Sequence, residues 1–321
     1  MPYGTINADL MTTSDGVSSA GTYGMKSRII NGAMVISQRG TGSTSVQTST
    51  SYASCDRWGS YATQNSKYTI QQSSTSPVGF GNSLLITSSA ATSLGASDYF
   101  IINQPIEGNN FYDLNWGAAN AKTVTLSFQV YSSLTGTFGG SLTNYAGNRS
   151  YPFTYTISTA NTWTTASVTI AGDTSGTWVG ASNAGAVILY FSLGTGTTFS
   201  GTAGAWASAN YVSATGATSV VGTNGATFYI TGVQLEAGTT ATSFDYRPYS
   251  AELAMCQRYY IAGNTYYQSI TYNFRSFPVT MRAAPTLTSS TALNDPLTYT
   301  DGFRSWLGAT QAVTFTASAE L

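Results

Sequence analysis

The chain has no histidine in 321 residues, and that single absence removes much familiar catalytic chemistry. Ser–His and Cys–His nucleophile pairs are excluded, as are zinc sites built on imidazole. Charge is scarce as well: Asp, Glu, Lys and Arg make up 8% of the residues and the net charge is −1. The basic residues are scattered rather than clustered, so nothing is expected to hold a phosphate backbone and nucleic acid is not an expected partner. Cysteine is nearly absent. Cys55 and Cys256 cannot build a structural zinc site, and their number alone does not settle whether they pair. Both sit among core-type residues, which favours two buried free thiols. No run of about 18 or more apolar residues occurs, so no membrane-spanning helix is expected. Met1–Leu10 lacks the basic start and apolar run of a signal peptide. No motif asks for a cofactor.

What the chain does contain is apolar residues at 42% together with abundant Gly, Ser and Thr. That profile fits a rigid all-β protein rather than a disordered one, and the length suggests two domains, one of them small. Residues 1–28 are polar and aperiodic and read as an arm without its own core. From Ile29 onward short strand-like runs alternate with turn residues. They are expected at Ile29–Ile36, Tyr52–Tyr61, Lys67–Gln72, Ser83–Thr87, Tyr99–Gln104 and Lys122–Tyr131. The last has Val124, Leu126, Phe128 and Val130 on one face and polar residues on the other. Phe153/Tyr155/Ile157 and Ala166/Val168/Ile170 repeat the alternation. Ala186–Leu193 is apolar on both faces and should be central, or covered by another chain.

In Phe228–Leu235 the apolar parity switches at Gly232, which predicts a bulge that keeps Phe228, Ile230, Val233 and Leu235 on one face. After Pro248, Ser250 can cap a short helix with Glu252 in its first turn and Leu253, Cys256 and Tyr260 at helical spacing. The fold expected is an all-β, antiparallel, jelly-roll-like sandwich over 29–249, a linking helix over 250–260, and a small β domain over 261–321. In that last part Tyr266, Gln268, Ile270, Tyr272 and Phe274 alternate, as do Val279, Met281 and Ala283. Val313, Phe315, Ala317, Ala319 and Leu321 alternate at its end. A unit of about sixty residues without disulfides or metal ligands is marginal alone and should lean on something.

No charged residue lies between Asp173 and Glu236. Gly194–Thr227 within it is long for a loop in a compact domain, and reads either as functional or as a lid over the sandwich edge. Glycoside hydrolysis needs only two carboxylates and survives the lack of histidine. Asp98, Glu107 and Asp113 lie in one region, although turn and capping roles suit them better. Calcium remains open, since its oxygen ligands cannot be picked out and the metal is unknown. Sugar binding needs flat rings beside planar polar groups. Trp58 and Trp178 read as core residues. The recognition candidates are Asn110–Trp116, Trp206 with Tyr211, and the group Tyr299, Phe303, Arg304 and Trp306 around the turn-like Asp301-Gly302. For that last group, packing in an interface is an equal alternative.

The stretch ITGVQLE…F..RPY..EL..CQRYY within Phe228–Tyr260 resembles a signature of tail-fibre-like and virion-associated proteins of bacteriophages. GTINAD (Gly4–Asp9), SRIINGAMVISQRGT (Ser27–Thr41), DRW (Asp56–Trp58), NAKTVTLSFQVYSSLTGTFGG (Asn120–Gly140), NRSYPFTYTIS (Asn148–Ser158) and TIAGDTSGTW (Thr169–Trp178) are similar to the same proteins. The strand-rich core resembles the jelly rolls of carbohydrate-binding modules. The resemblance implies a non-enzymatic virion protein, a trimeric tail fibre or receptor-binding fibre. Its arm would join other virion proteins, its tip would be a homotrimer, and its aromatic residues would contact a host-surface glycan. The rivals are a passive neck, head or decoration part, and a glycan-cleaving tail enzyme.

Overall fold

The computed structural model describes residues 25–268 and 271–321. The expected arm lies outside the described residues except for its last four, and so does Ile270. Strands β1 (Thr44–Ser45), β2 (Gly59–Ala62), β3 (Tyr68–Ser73), β4 (Ser83–Ser88) and β5 (Tyr99–Glu107) open the chain. Next come β6 (Val124–Ser132), β7 (Gly136–Asn144), β8 (Ser150–Ile157), β9 (Thr164–Ile170) and β10 (Gly185–Thr195). A short pair, β11 (Ser200–Gly201) and β12 (Ser213–Ala214), precedes the long β13 (Thr227–Ala237). A six-stranded sheet in the order β1-β3-β4-β13-β6-β9 packs on a five-stranded one, β2-β5-β10-β7-β8. Every pairing within these two sheets is antiparallel. This is the jelly-roll-like sandwich expected from the alternation.

The core follows from parity. Val124, Leu126, Phe128 and Val130 of β6 are buried against Val187, Leu189, Phe191 and Leu193 of β10 in one apolar cluster. β10 is central in its sheet, as its two apolar faces predict. In β13 the register slips between Thr231 and Gln234, with Gly232 at φ 62°. All four of Phe228, Ile230, Val233 and Leu235 are buried as a result.

Ile29–Ile36 is buried but is not a strand, contrary to the alternation. Asn31 and Met34 take positive φ, 57° and 59°, and break the extended run. The segment takes over beside β13 where β4 ends, through Val233 N–H to Gly32 O (3.0 Å) and Arg28 N–H to Leu235 O (2.8 Å). Its backbone is satisfied by side chains in place of a ladder. Gln104 both donates to and accepts from Ile30, each at 2.8 Å, and Asn31 Nδ2 donates to the Ile36 and Asp56 carbonyls.

Helix α1 (Tyr249–Gln257) has Pro248 at its N-cap, two residues before the expected Ser250, and no side chain caps it. Glu252 turns back to accept from the Asn31 N–H and pairs with Arg247. Tyr260 already belongs to β14 (Tyr260–Tyr267). The remaining strands are β15 (Asn273–Ser276), β16 (Thr286–Ser289), β17 (Asn294–Tyr299), β18 (Gly302–Trp306) and β19 (Gln311–Ser318). They form two three-stranded sheets, β14-β19-β16 and β15-β18-β17. Val313, Phe315, Ala317 and Ala319 fill the core between them, with Phe303 and Tyr267. Val279–Ala283 forms no strand, although Met281 is buried.

This unit leans on the sandwich through a buried ionic junction. Arg57 pairs with Glu320, donates to Pro105 O at 2.6 Å, and lies 3.5 Å over the Tyr259 ring. Arg39 pairs with Glu320 (3.0 Å) and covers the Tyr260 ring at 3.5 Å. Arg258 pairs with Glu107 at 2.9 Å. Ile30, Ile36, Cys256 and Tyr259 form a small apolar cluster in the same region. Cys55 and Cys256 are both free and buried.

Candidate functional site

The outer face of the five-stranded sheet is covered over only part of its width. β7 carries Gly139 on that face, and the segment after β10 comes down onto it. A side-chain carbon at Gly139 would meet the Ala217 Cβ at 2.9 Å, and Thr218 N–H donates to Thr137 O at 2.7 Å. Gly204 N–H reaches Pro152 O (2.9 Å), so β8 is covered too. Val220 and Val221 are buried in the main core. The Gly194–Thr227 segment therefore lies as a lid on this face, rather than over the sandwich edge.

The lid leaves a groove over β2, β5 and β10, of about 190 Å³, with Asn210 and Val212 on its own rim. Strand parity builds the floor. Phe100 and Ile102 point into the core, so Tyr99, Ile101 and Asn103 face out, and the register sets Tyr61 beside Ile101 and Tyr190 beside Asn103. Thr50 closes the far side. The Tyr61 and Tyr99 rings stack, 5.2 Å apart and 18° from parallel, and Tyr99 in turn meets Phe199 at 4.8 Å. Asn103 Oδ1 is buried and accepts no hydrogen bond. It has room because its cross-strand partner is Gly59.

Among the described residues no charged side chain lines the groove. Burial pushes the Tyr99 and Tyr190 hydroxyls up to about 12, with Tyr61 adding to the effect at Tyr99. Both are neutral phenols at physiological pH and can donate as well as accept. Ring faces, two amides and neutral hydroxyls suit a polyhydroxylated, uncharged ligand. The sequence holds the signal in the outward parity of Tyr99, Ile101 and Asn103. It does not show which half of the sheet the lid would cover.

The aromatic residues singled out from sequence go elsewhere. Tyr299–Trp306 is the β17–β18 hairpin rather than a distal loop. Phe303 is buried in the C-terminal core, against Phe315 at 4.9 Å, and is unavailable to a ligand. Arg304 faces the other way, 4.8 Å over the Tyr272 ring. Tyr299 is 40% exposed and lies on the outer face with Phe274, Leu297 and Tyr272. Trp306 is half-buried, opposite Asn294 in the β17–β18 register.

Trp206 does not join Tyr211. It packs against Trp116 (5.1 Å), Trp178 (5.5 Å) and Tyr151 (5.3 Å). All three indole N–H groups donate to backbone carbonyls, of Ala171, Lys122 and Ser175. The group staples three loops together, with the Asn110–Trp116 stretch as one of them. Trp58 is core as expected, whereas Trp178 lies in a loop at the core's edge. Tyr211 packs its ring over Gly201.

Each of the three acids considered for hydrolysis is held by a different partner. Asp98 accepts from Gly95 N–H, Thr63 and Gln64, while Glu107 pairs with Arg258 and Asp113 with Arg28. Among the described residues no group of three or more His, Cys, Asp or Glu side chains could hold a metal ion. No helix there is long and apolar enough to cross a membrane.

No family model matches the chain, and no curated protein does. Among solved structures it is similar to the enzymatically active domain of tailspike protein 4 of bacteriophage CBA120, at 14% identity and a TM-score of 0.34. That likeness covers 66% of this chain and 21% of the tailspike's. It is also similar to a family 11 carbohydrate-binding module from Clostridium thermocellum, with 13% identity, a TM-score of 0.33 and coverage of 63% and 99%. A third is the N-terminal cellulose-binding domain of Cellulomonas fimi β-1,4-glucanase C, with 12% identity, a TM-score of 0.28 and coverage of 53% and 85%.

Proposed function

We propose that this chain is a non-enzymatic glycan-binding protein, and that the groove over β2, β5 and β10 is where the glycan sits. The observation that carries the reading is the stacked pair of Tyr61 and Tyr99 rings beside the Asn103 and Asn210 amides in one groove. A pyranose C–H face packs on a ring, and the Asn103 and Asn210 amides that line the groove can hydrogen-bond its hydroxyls. The uncharged lining selects a neutral sugar.

The sequence signature shared with tail-fibre-like phage proteins supports the finer reading, a virion fibre acting on a host-surface glycan. In that reading the fibre is a homotrimer. The exposed aromatic face of the β15-β18-β17 sheet, with Tyr272 and Phe274 each at least half exposed, is the surface that neighbouring copies cover. The arm attaches it to other virion proteins. The test is affinity electrophoresis of the recombinant chain through gels containing neutral polysaccharides, with reducing ends assayed in parallel. Retardation by a neutral polysaccharide without release of reducing ends is expected. Release of reducing ends would make the protein an enzyme, and migration unaffected by any neutral polysaccharide would remove the groove's assignment.

A further inference from the structure

The two C-terminal sheets part at one edge and leave a cleft of about 330 Å³. Its floor is apolar, made by Ile261, Gly263, Phe277, Pro278 and Phe315. Arg275, Ser276 and Gln257 supply the polar part of the lining. Arg275 sits directly opposite Phe303 in the β15–β18 register. Side chains alternate along a strand, so Arg275 projects on the same face as Phe303 and Phe277, toward the other sheet. Phe277 and Phe303 lie 6.1 Å apart on that face. β15 is an edge strand, and Arg275 is exposed at the rim.

Charge is so scarce in this chain that nearly every arginine is used. Six of them form ion pairs. Arg282 donates to the Asn183 and Ala319 carbonyls, and Arg304 lies over Tyr272. Among the described residues the Arg275 side chain alone has no hydrogen bond, ion pair or ring contact, its backbone being held in the β15–β18 ladder. No carboxylate among the described residues lines the cleft to neutralise it.

A guanidinium is the residue best matched to a carboxylate, through two parallel N–H···O bonds. A low-dielectric wall beside it focuses its field on the cleft. The apolar floor accepts the body of one ring, and the Gln257 amide can donate or accept beside it. The volume is near the lower end of small-ligand sites, about 300–1,000 Å³, and fits a single-ring ligand. We propose that this cleft binds a small carboxylate-bearing ring through Arg275, at a site separate from the neutral groove of the sandwich. Such a carboxylate can come from a uronic acid unit of a glycan or from a free aromatic acid.

The experiment titrates the intact chain with methyl β-glucuronide, benzoate and methyl β-glucoside, followed by amide chemical shifts. Saturable shifts at the cleft residues are expected with at least one carboxylate and not with the glucoside. Binding of the glucuronide alone assigns the acidic sugar, and of benzoate alone the aromatic acid. Arg275→Gln should weaken binding by about tenfold or more, and Arg275→Lys by less, because the lysine keeps the charge and loses the fork. Gln257→Ala is a second variant, expected to weaken binding by a smaller factor. Tyr99→Ala, in the groove, should leave carboxylate binding unchanged, so this site and the groove fail separately. Three results would overturn the proposal: equal binding of glucoside and glucuronide, undiminished binding by Arg275→Gln, or no saturable binding of either carboxylate.

Discussion

Arg57 has its side chain 1% exposed and its charge answered by Glu320 from the other end of the chain. Removing one partner of a buried pair leaves the other desolvated and alone. Glu320→Ala is therefore expected to destabilise the fold by about 3–5 kcal/mol, read from urea unfolding. Neither partner was recognisable as such beforehand, because their pairing depends on a fold that brings positions 57 and 320 together. The tyrosines give a pH prediction. Tyr99 and Tyr190 have folded values raised to about 12 from the ordinary 10. The unfolded chain loses these protons first, so their contribution is complete below pH 10 and falls as pH rises toward about 12. Unfolding midpoints measured from pH 9 upward should decline over that window, with tyrosinate absorbance rising in step. The cysteines were legible as buried free thiols from their neighbours alone, and burial raises the Cys55 thiol to about 12. Alkylation of the folded protein is expected to be slow and to become fast only on unfolding.

At the scale of elements, β13 was the most readable because two independent signals agreed. The parity switch and the glycine fell at the same position, and only a bulge reconciles them. Gly232 has φ 62°, and a side-chain carbon there would lie 2.7 Å from the Phe80 ring. Gly232→Ala is expected to cost at least about 1–2 kcal/mol from the left-handed backbone alone, measured by chemical denaturation. Ile29–Ile36 shows the opposite case. Its alternation was real and its residues are buried, yet Asn31 and Met34 turn the backbone out of the extended region. Burial can be read from apolar pattern, but ladder pairing cannot when side chains such as Gln104 supply the hydrogen bonds. The hairpin holding Tyr299 and Phe303 misled for a related reason. Its turn residues were recognised, while the two strands flanking them sent Phe303 inward and left Tyr299 and Arg304 on the outer face.

For the whole molecule, the need of the last sixty residues for support was legible, and the sandwich itself supplies much of it through Arg39, Arg57 and Arg258. The proposed trimer rests instead on the outer aromatic face, where Phe274 is 54% exposed. Sedimentation at micromolar concentration is expected to give a trimer, and Phe274→Asp to shift it toward monomer without lowering glycan affinity per chain. A wild-type monomer would remove that part of the reading. The groove was not legible because it is a property of three strands and a lid, distant in sequence, rather than of any one stretch. Its claim is also the central one, that a neutral glycan binds over Tyr61, Tyr99 and Asn103 and not at the Tyr299–Trp306 hairpin. The most direct measurement compares the wild type with Tyr99→Ala and Trp306→Ala on an array of neutral and acidic oligosaccharides, each variant first shown to keep its melting temperature. Loss of a stacking ring costs about 1–3 kcal/mol, so Tyr99→Ala is expected to lose roughly tenfold or more on a neutral glycan while Trp306→Ala binds like the wild type. Full binding by Tyr99→Ala, or loss confined to Trp306→Ala, would contradict the account.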